Sequence, residues 1–308
     1  MIFEVVNQLN RGAPLITSQD EHEKLAELNL IAGKRAKASS AYTSALTYLS
    51  AGAALIAEDS WERRQALAFA LQLHGADCEL WTGALPSAEE RLAALATRAA
   101  DTVQRAAVAS RRVDLYTMLG ASDRAVAVGL EYLRHVGIDW AAHPTQLEAC
   151  REYDRIWSLL GRRAIEDLID LPLMKDPESL ATLDVLTTLG APTLYTDENL
   201  YALTICRAVN LSLERGNSDA ATCAYVSVGL IAGNRFGHCS NSPNTSMAMK
   251  PSPTMRMNAE NMPDSQPRPT SKPRPAEKIK VKRTRRQPSS KAKPRGFAGT
   301  VAADMASG

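Results

Sequence analysis

The chain has 308 residues, 45% of them hydrophobic but only 5% aromatic, and carries a formal net charge of +2. That length can bury a sizeable core, and an apolar share drawn mostly from Ala, Leu and Val favours helix over sheet. No uninterrupted apolar run is long enough to cross a bilayer, and the N-terminus MIFEVVNQLNRG has neither a basic n-region nor a cleavage-site pattern. No membrane partner is therefore expected, and a cytoplasmic protein is.

In chain order, the helix punctuation begins at Ser18, followed three residues later by Glu21 in a capping-box pattern. Ser87 and Glu90 repeat the device after Pro86, and Thr145 and Glu148 after Pro144. Asp176 before Pro177 reads as an N-cap with proline at the first helical position. Between these marks the apolar spacing is helical. Leu67, Ala70, Leu71, His74, Cys78 and Trp81 share one face, and Ala66, Phe69, Leu73, Ala76 and Leu80 a second. A helix apolar on two sides is packed between neighbours. Pro172 interrupts the segment from Leu160 to Thr193, for which a short helix, a turn and a further helix are expected. Asp197 and Glu198 open another helix, where carboxylates complement the dipole. Alternating strand patterns bounded by hairpin turns are absent, so essentially no sheet is expected.

A faint internal repeat runs through these helices as glycine, four residues, alanine. It occurs at Gly33/Ala38, Gly83/Ala88, Gly120/Ala125 and Gly216/Ala221. Each glycine is read as ending a helix in a left-handed conformation, and each alanine as letting the next helix pack closely. The step from Gly83 to Gly120 is 37 residues, near the period of a tetratricopeptide hairpin, while the others are 50 and 96. An all-α, degenerate TPR-like helical-repeat array (an α-solenoid) is the expected fold.

Beyond Gly237 the chain changes character. Residues 237–308 hold 14 Lys and Arg against 4 Asp and Glu, a net +10, which leaves 22 against 30, a net −8, in residues 1–236. Ten of the 16 prolines lie in this tail, which has too few large apolar groups to fold alone. Its basic run KIKVKRTRRQ, Lys278 to Gln287, has no interleaved aromatics to stack on bases, so nucleic acid is not an expected partner.

The sequence offers no recognisable catalytic or ligand-binding motif. Gly33-Lys34-Arg35 lacks the upstream glycine and the Ser/Thr of a phosphate-binding loop. His22, His74, His135, His143 and His238 form no ligand pair at metal spacing, and His74 falls on an apolar helix face. Cys78, Cys150, Cys206, Cys223 and Cys239 are odd in number and contain no C-x-x-C, so they are read as reduced thiols and mostly buried. No catalytic residue, metal or cofactor is assigned, and the chain is not expected to be an enzyme.

The stretches FEVVNQLNRGAPLI, LNLIAGKRAKASSAYTSALTYL, ALAFALQLHGADCELWTG, VDLYTMLGASDRAVAVGLEYLRHVGIDW and TDENLYALTICRAVNLSLERGNSD resemble one region of very large bacterial signalling proteins. Those proteins join a serine/threonine kinase domain, a predicted ATPase of the AAA/STAND type, a long helical-repeat region and often a GAF and a sensor histidine kinase domain. The resemblance covers nearly all of residues 1–236 and implies the helical region after the ATPase module. By it, residues 1–17 are the end of that module's helical part, 18–236 the repeat region, and 237–308 a basic, proline-rich, disordered tail, expected to come from frame disruption or gene decay. It implies a non-catalytic scaffold or sensor fragment of a two-component-type signalling protein, with ATPase or kinase modules as protein partners. Self-association through an uncapped repeat end is expected, with exposed apolar surface around Val226, Leu230 and Ile231. Two other readings are an adaptor whose basic tail binds nucleic acid or acidic surfaces, and an ATP-binding kinase inferred from the family alone.

Overall fold

The computed structural model describes residues 2–236; the expectations for 237–308, for KIKVKRTRRQ and for His238 and Cys239 lie outside the described residues. Among those residues the chain is all-helical, with one isolated backbone bridge, Leu173 to Asn217, and no strand. The α-helices are α1 (Ile2–Gly12), α2 (Gln19–Ala38), α3 (Tyr42–Ala54), α4 (Glu58–Arg63), α5 (Gln65–Thr82), α6 (Leu85–Arg98), α7 (Thr102–Met118), α8 (Ser122–His135), α9 (Gln146–Leu160), α10 (Pro177–Thr196), α11 (Glu198–Arg215) and α12 (Asp219–Arg235). Ala13–Leu15 and Ile165–Asp170 form 3-10 turns.

Helices pair with near neighbours. α2 packs on α3, α5 on α6, α7 on α8 and α10 on α11, while α2, α5, α7, α10 and α12 each touch the next in that order. α9 lies against α11, and none of the extensive contacts joins α1–α3 to α9–α12. α5 is buried on both sides, as its two apolar faces require, with Phe69, Leu73, Ala76 and Leu80 in the main core and Leu71 and Cys78 in a second cluster with Ala26, Ala45 and Leu49. At the N-terminal end Val6 meets Ala32 and Tyr48, and Asn10 and Asn29 exchange side-chain hydrogen bonds of 2.9 and 2.8 Å.

The turns inside three of the pairs are the same. Gly83 (φ +80°) and Gly120 (φ +69°) end α5 and α7 in the left-handed region. The next residue donates its N–H across the turn, Ala84 to Glu79 O at 2.9 Å and Ala121 to Tyr116 O at 2.8 Å, as in a Schellman motif. Ala88 and Ala125 then sit fully buried one turn into the second helix. The third such turn corrects the sequence reading. Gly33 does not end a helix; it lies within α2, and the exposed Ala38 is that helix's last residue. The left-handed residue is Ser40 (φ +58°), Ala41 N–H reaches Ala36 O at 3.0 Å, and the buried alanine is Ala45. Gly33 has a different task. A Cβ there would lie 2.6 Å from Leu49 Cγ, so it lets α2 and α3 close together.

Gly216 (φ +111°) ends α11, a second helix of a pair, and its N–H returns to Ser212 O at 2.8 Å. The fourth match is thus a different turn, although Ala221 is buried in α12. The caps divide similarly. Thr145 and Glu148 form a complete capping box, and Asp176 and Asp197 accept from the first-turn amides of α10 and α11. Ser18 precedes α2 without a side-chain cap bond. Ser87 is not a cap, because α6 starts immediately after the Gly83 turn with Pro86 in its first turn, where the missing N–H costs nothing. No described helix is long and apolar enough to cross a membrane.

Candidate interaction groove

The row of first helices shares a polar concavity of about 340 Å³. Lys37 reaches it from the last turn of α2. Asp77 and Trp81 come from one face of α5, Ser110, Arg111 and Asp114 from one face of α7, and Asp184, Thr187 and Thr188 from one face of α10. The spacing of three or four residues on each helix puts these side chains on a common side.

Asp77 is the electrostatic centre of this groove. Its side chain is 9% exposed and pairs with Lys37 Nζ through Oδ2, while Arg111 Nε donates to Oδ1 at 2.9 Å. His74 Nδ1 stands 3.5 Å from Oδ2, and Arg111 also donates to Ala107 O at 3.2 Å. Burial works against ionisation of Asp77, but His74, Arg111 and Lys37 outweigh it and hold the carboxyl well below the usual range. Asp114 and Asp184 behave oppositely. Desolvation on the groove side pushes both carboxyls up, Arg111 pulls each down, and the Asp77 charge adds to the rise at Asp114. Trp81 is 66% exposed and stacks on Tyr42 with ring centroids 6.0 Å apart.

A second, apolar concavity of about 280 Å³ opens between α10, α11 and α12, with Leu186, Leu194, Tyr201, Ile205 and Cys223 among its walls. Two further buried carboxylates serve structure. Glu79 receives a two-pronged bond from Arg91 at 2.8 and 2.7 Å, and Glu23 pairs with Arg63.

Sequence reasoning passed over Asp77, Asp114 and Asp184. It placed Trp81 on a buried stripe, where the structure exposes it, and His74 in the core, where it stands beside the ion cluster. Two carboxylates flanking Cys78 in an otherwise apolar stretch were the available signal, because a buried charge demands a partner. None of the repeat positions lines the groove. Of the thiols, Cys78 and Cys206 are buried and free, and burial pushes Cys78 up to about 11 and Cys206 to about 12. Cys223 is free but exposed, and Cys150 is not among the free thiols, so the reading of mostly buried, reduced cysteines holds for two of them. Among the described residues no group of three or more His, Cys, Asp or Glu is placed to hold a metal.

Over 264 residues the chain is 24% identical to the hybrid signal transduction histidine kinase G of Dictyostelium discoideum. The similarity is distant. It takes in 77% of this chain but only 8% of that kinase, so the chain spans less than a tenth of its relative. No family model matches, and no solved structure matches.

Proposed function

We propose that the chain is a non-catalytic scaffold or sensor segment of a signalling protein, built as a degenerate TPR-like array and working through protein–protein or intramolecular contact. The observation that carries this reading is the groove to which α2, α5, α7 and α10 each contribute. Stacked pairs that share one face give an extended contact surface without a reaction centre. The three equivalent turns at Ser40, Gly83 and Gly120 support the array, and the distant similarity to a signal-transduction histidine kinase supports the setting. The partners in this reading are ATPase or kinase modules of the bacterial kinase–ATPase–histidine kinase type, and the place of action is the cytoplasm. Titrating the full chain with magnesium ATP should give neither saturable binding nor transfer of labelled phosphate. A stoichiometric, saturable signal would replace the scaffold with an enzyme.

The same reading includes self-association. Val226 and Leu230 on the outer face of α12 are 60% and 73% exposed, one helical turn apart, whereas Ile231 is half-buried against the core. Exposed apolar stripes of this kind favour pairing. Sedimentation of the full chain should show dimers that the Val226→Glu/Leu230→Glu double variant loses; a wild-type chain that stays monomeric across the concentration range contradicts the pairing.

A further inference from the structure

We infer that the groove of α5, α7 and α10 takes the cationic side chain of an arginine in a basic peptide, a proposal that rests on the groove's being the contact face. The charges in the concavity are unequally committed. Lys37 and Arg111 are both bound to the single carboxylate of Asp77, so that trio carries one net positive charge. Asp114 and Asp184 form no ion pair or hydrogen bond through their carboxylates among the described residues, yet both line the same concavity. Five ionised groups therefore leave the groove with one net negative charge, and that charge sits on the α7–α10 side. An anionic ligand would meet the carboxylates of Asp114 and Asp184, whereas a cation completes what the groove lacks.

Trp81 narrows the chemistry further. Most of its ring faces solvent at the edge of the concavity, and Tyr42 stacked behind it holds the ring in place. An indole beside two carboxylates that have no direct partner suits a planar guanidinium, which stacks on the ring while its N–H fork faces the carboxylates. An ammonium ion supplies charge without the plane or the fork, so arginine should be preferred to lysine. Thr187 and Thr188 offer a ligand only acceptor lone pairs, which suits a donor-only cation, because their hydroxyl hydrogens go to Leu183 O at 3.0 Å and Asp184 O at 2.7 Å.

The test is fluorescence anisotropy on the full chain with labelled peptides of alternating alanine and arginine, lysine or glutamate. The arginine peptide should bind in a salt-sensitive manner, the lysine peptide more weakly, and the glutamate peptide not at all. Asp114→Asn/Asp184→Asn should weaken arginine binding by about tenfold. Trp81→Ala should erase the preference for arginine over lysine. Both carboxylates and the indole are exposed, so thermal melts matching the wild type establish that the variants fold. Equal affinity of wild type and double variant, or equal binding of the glutamate peptide, overturns the proposal and leaves the scaffold reading standing. Phosphate transfer from ATP sinks the scaffold reading and leaves the peptide measurement to be judged separately.

Discussion

Gly216→Ala is expected to destabilise the fold by about 3 kcal/mol. A Cβ at this residue would lie 2.2 Å from Pro172 O and 3.0 Å from Met174 N, both backbone atoms that no rotamer change can move aside. The backbone there also has φ +111°, a region that side chains avoid. The contact is a seam. Asn217 N–H donates to Pro172 O at 2.8 Å, Met174 N–H to Asn217 O at 2.7 Å, and Asn217 Nδ2 to Leu168 O at 2.6 Å. Tyr225 closes it by donating its hydroxyl to Asn217 Oδ1 at 2.9 Å. An alanine must break or displace these bonds. Gly120→Ala is the control: φ is positive there too, but nothing lies within 4 Å of the added Cβ, so its cost should be about 1 kcal/mol. Urea midpoints of the two variants decide it, and equal costs would mean that the seam does not hold the turn.

Asp77→Asn should cost about 2 kcal/mol at neutral pH, because it leaves Lys37 and Arg111 facing one another without their carboxylate. The estimate stays below that for a fully buried pair because both cations keep about a quarter of their side chains exposed. The pH dependence follows from the depressed carboxyl. A group whose folded pKa is lowered stabilises the fold above its unfolded value, and that stabilisation fades as pH falls toward the folded value. The gap between wild type and Asp77→Asn should therefore be widest near neutrality and narrow as pH drops below the ordinary 3.8. Asp114 works the other way. Its raised carboxyl favours the fold when protonated, so its contribution is present at low pH and lost as pH rises. Asp114→Asn should hold or raise the melting temperature at neutral pH, and a constant gap for Asp77→Asn across the acid range would remove the ion cluster from the account.

How much of this was legible before the fold is clearest in α5 and α2. The two apolar faces of residues 65–82 foretold a helix packed between neighbours, since periodicity is a local property. The carboxylate of Asp77 sits in the same stretch, but its partners lie 40 residues before it and 34 after it. Nothing local in the chain joins those three. Gly33 shows the reverse error. Its place in the glycine–alanine pattern suggested a helix end, yet the residues after it carry α2 onward to Ala38, and Ser40 makes the turn that glycine makes elsewhere. Serine tolerates the left-handed region poorly, so a pattern built on glycine missed it. The first two such turns are thus 43 residues apart, from Ser40 to Gly83, and the next lies 37 residues on at Gly120, a spacing more even than the glycines implied. Pro192 stands inside α10, where local rules would end a helix; Leu189, Pro192 and Thr193 are buried there, and packing overrides the break.

The central claim is that the helices form an array in which each pair depends on its neighbours. Amide hydrogen exchange of the full chain, wild type against Gly216→Ala, tests it most directly. In a one-dimensional array the damage at the α11–α12 turn stays local. Protection should fall in α10, α11 and α12 while α2 and α3 exchange as in the wild type. An equal fall in every helix would contradict the account, because it would mean a single cooperative core rather than stacked pairs.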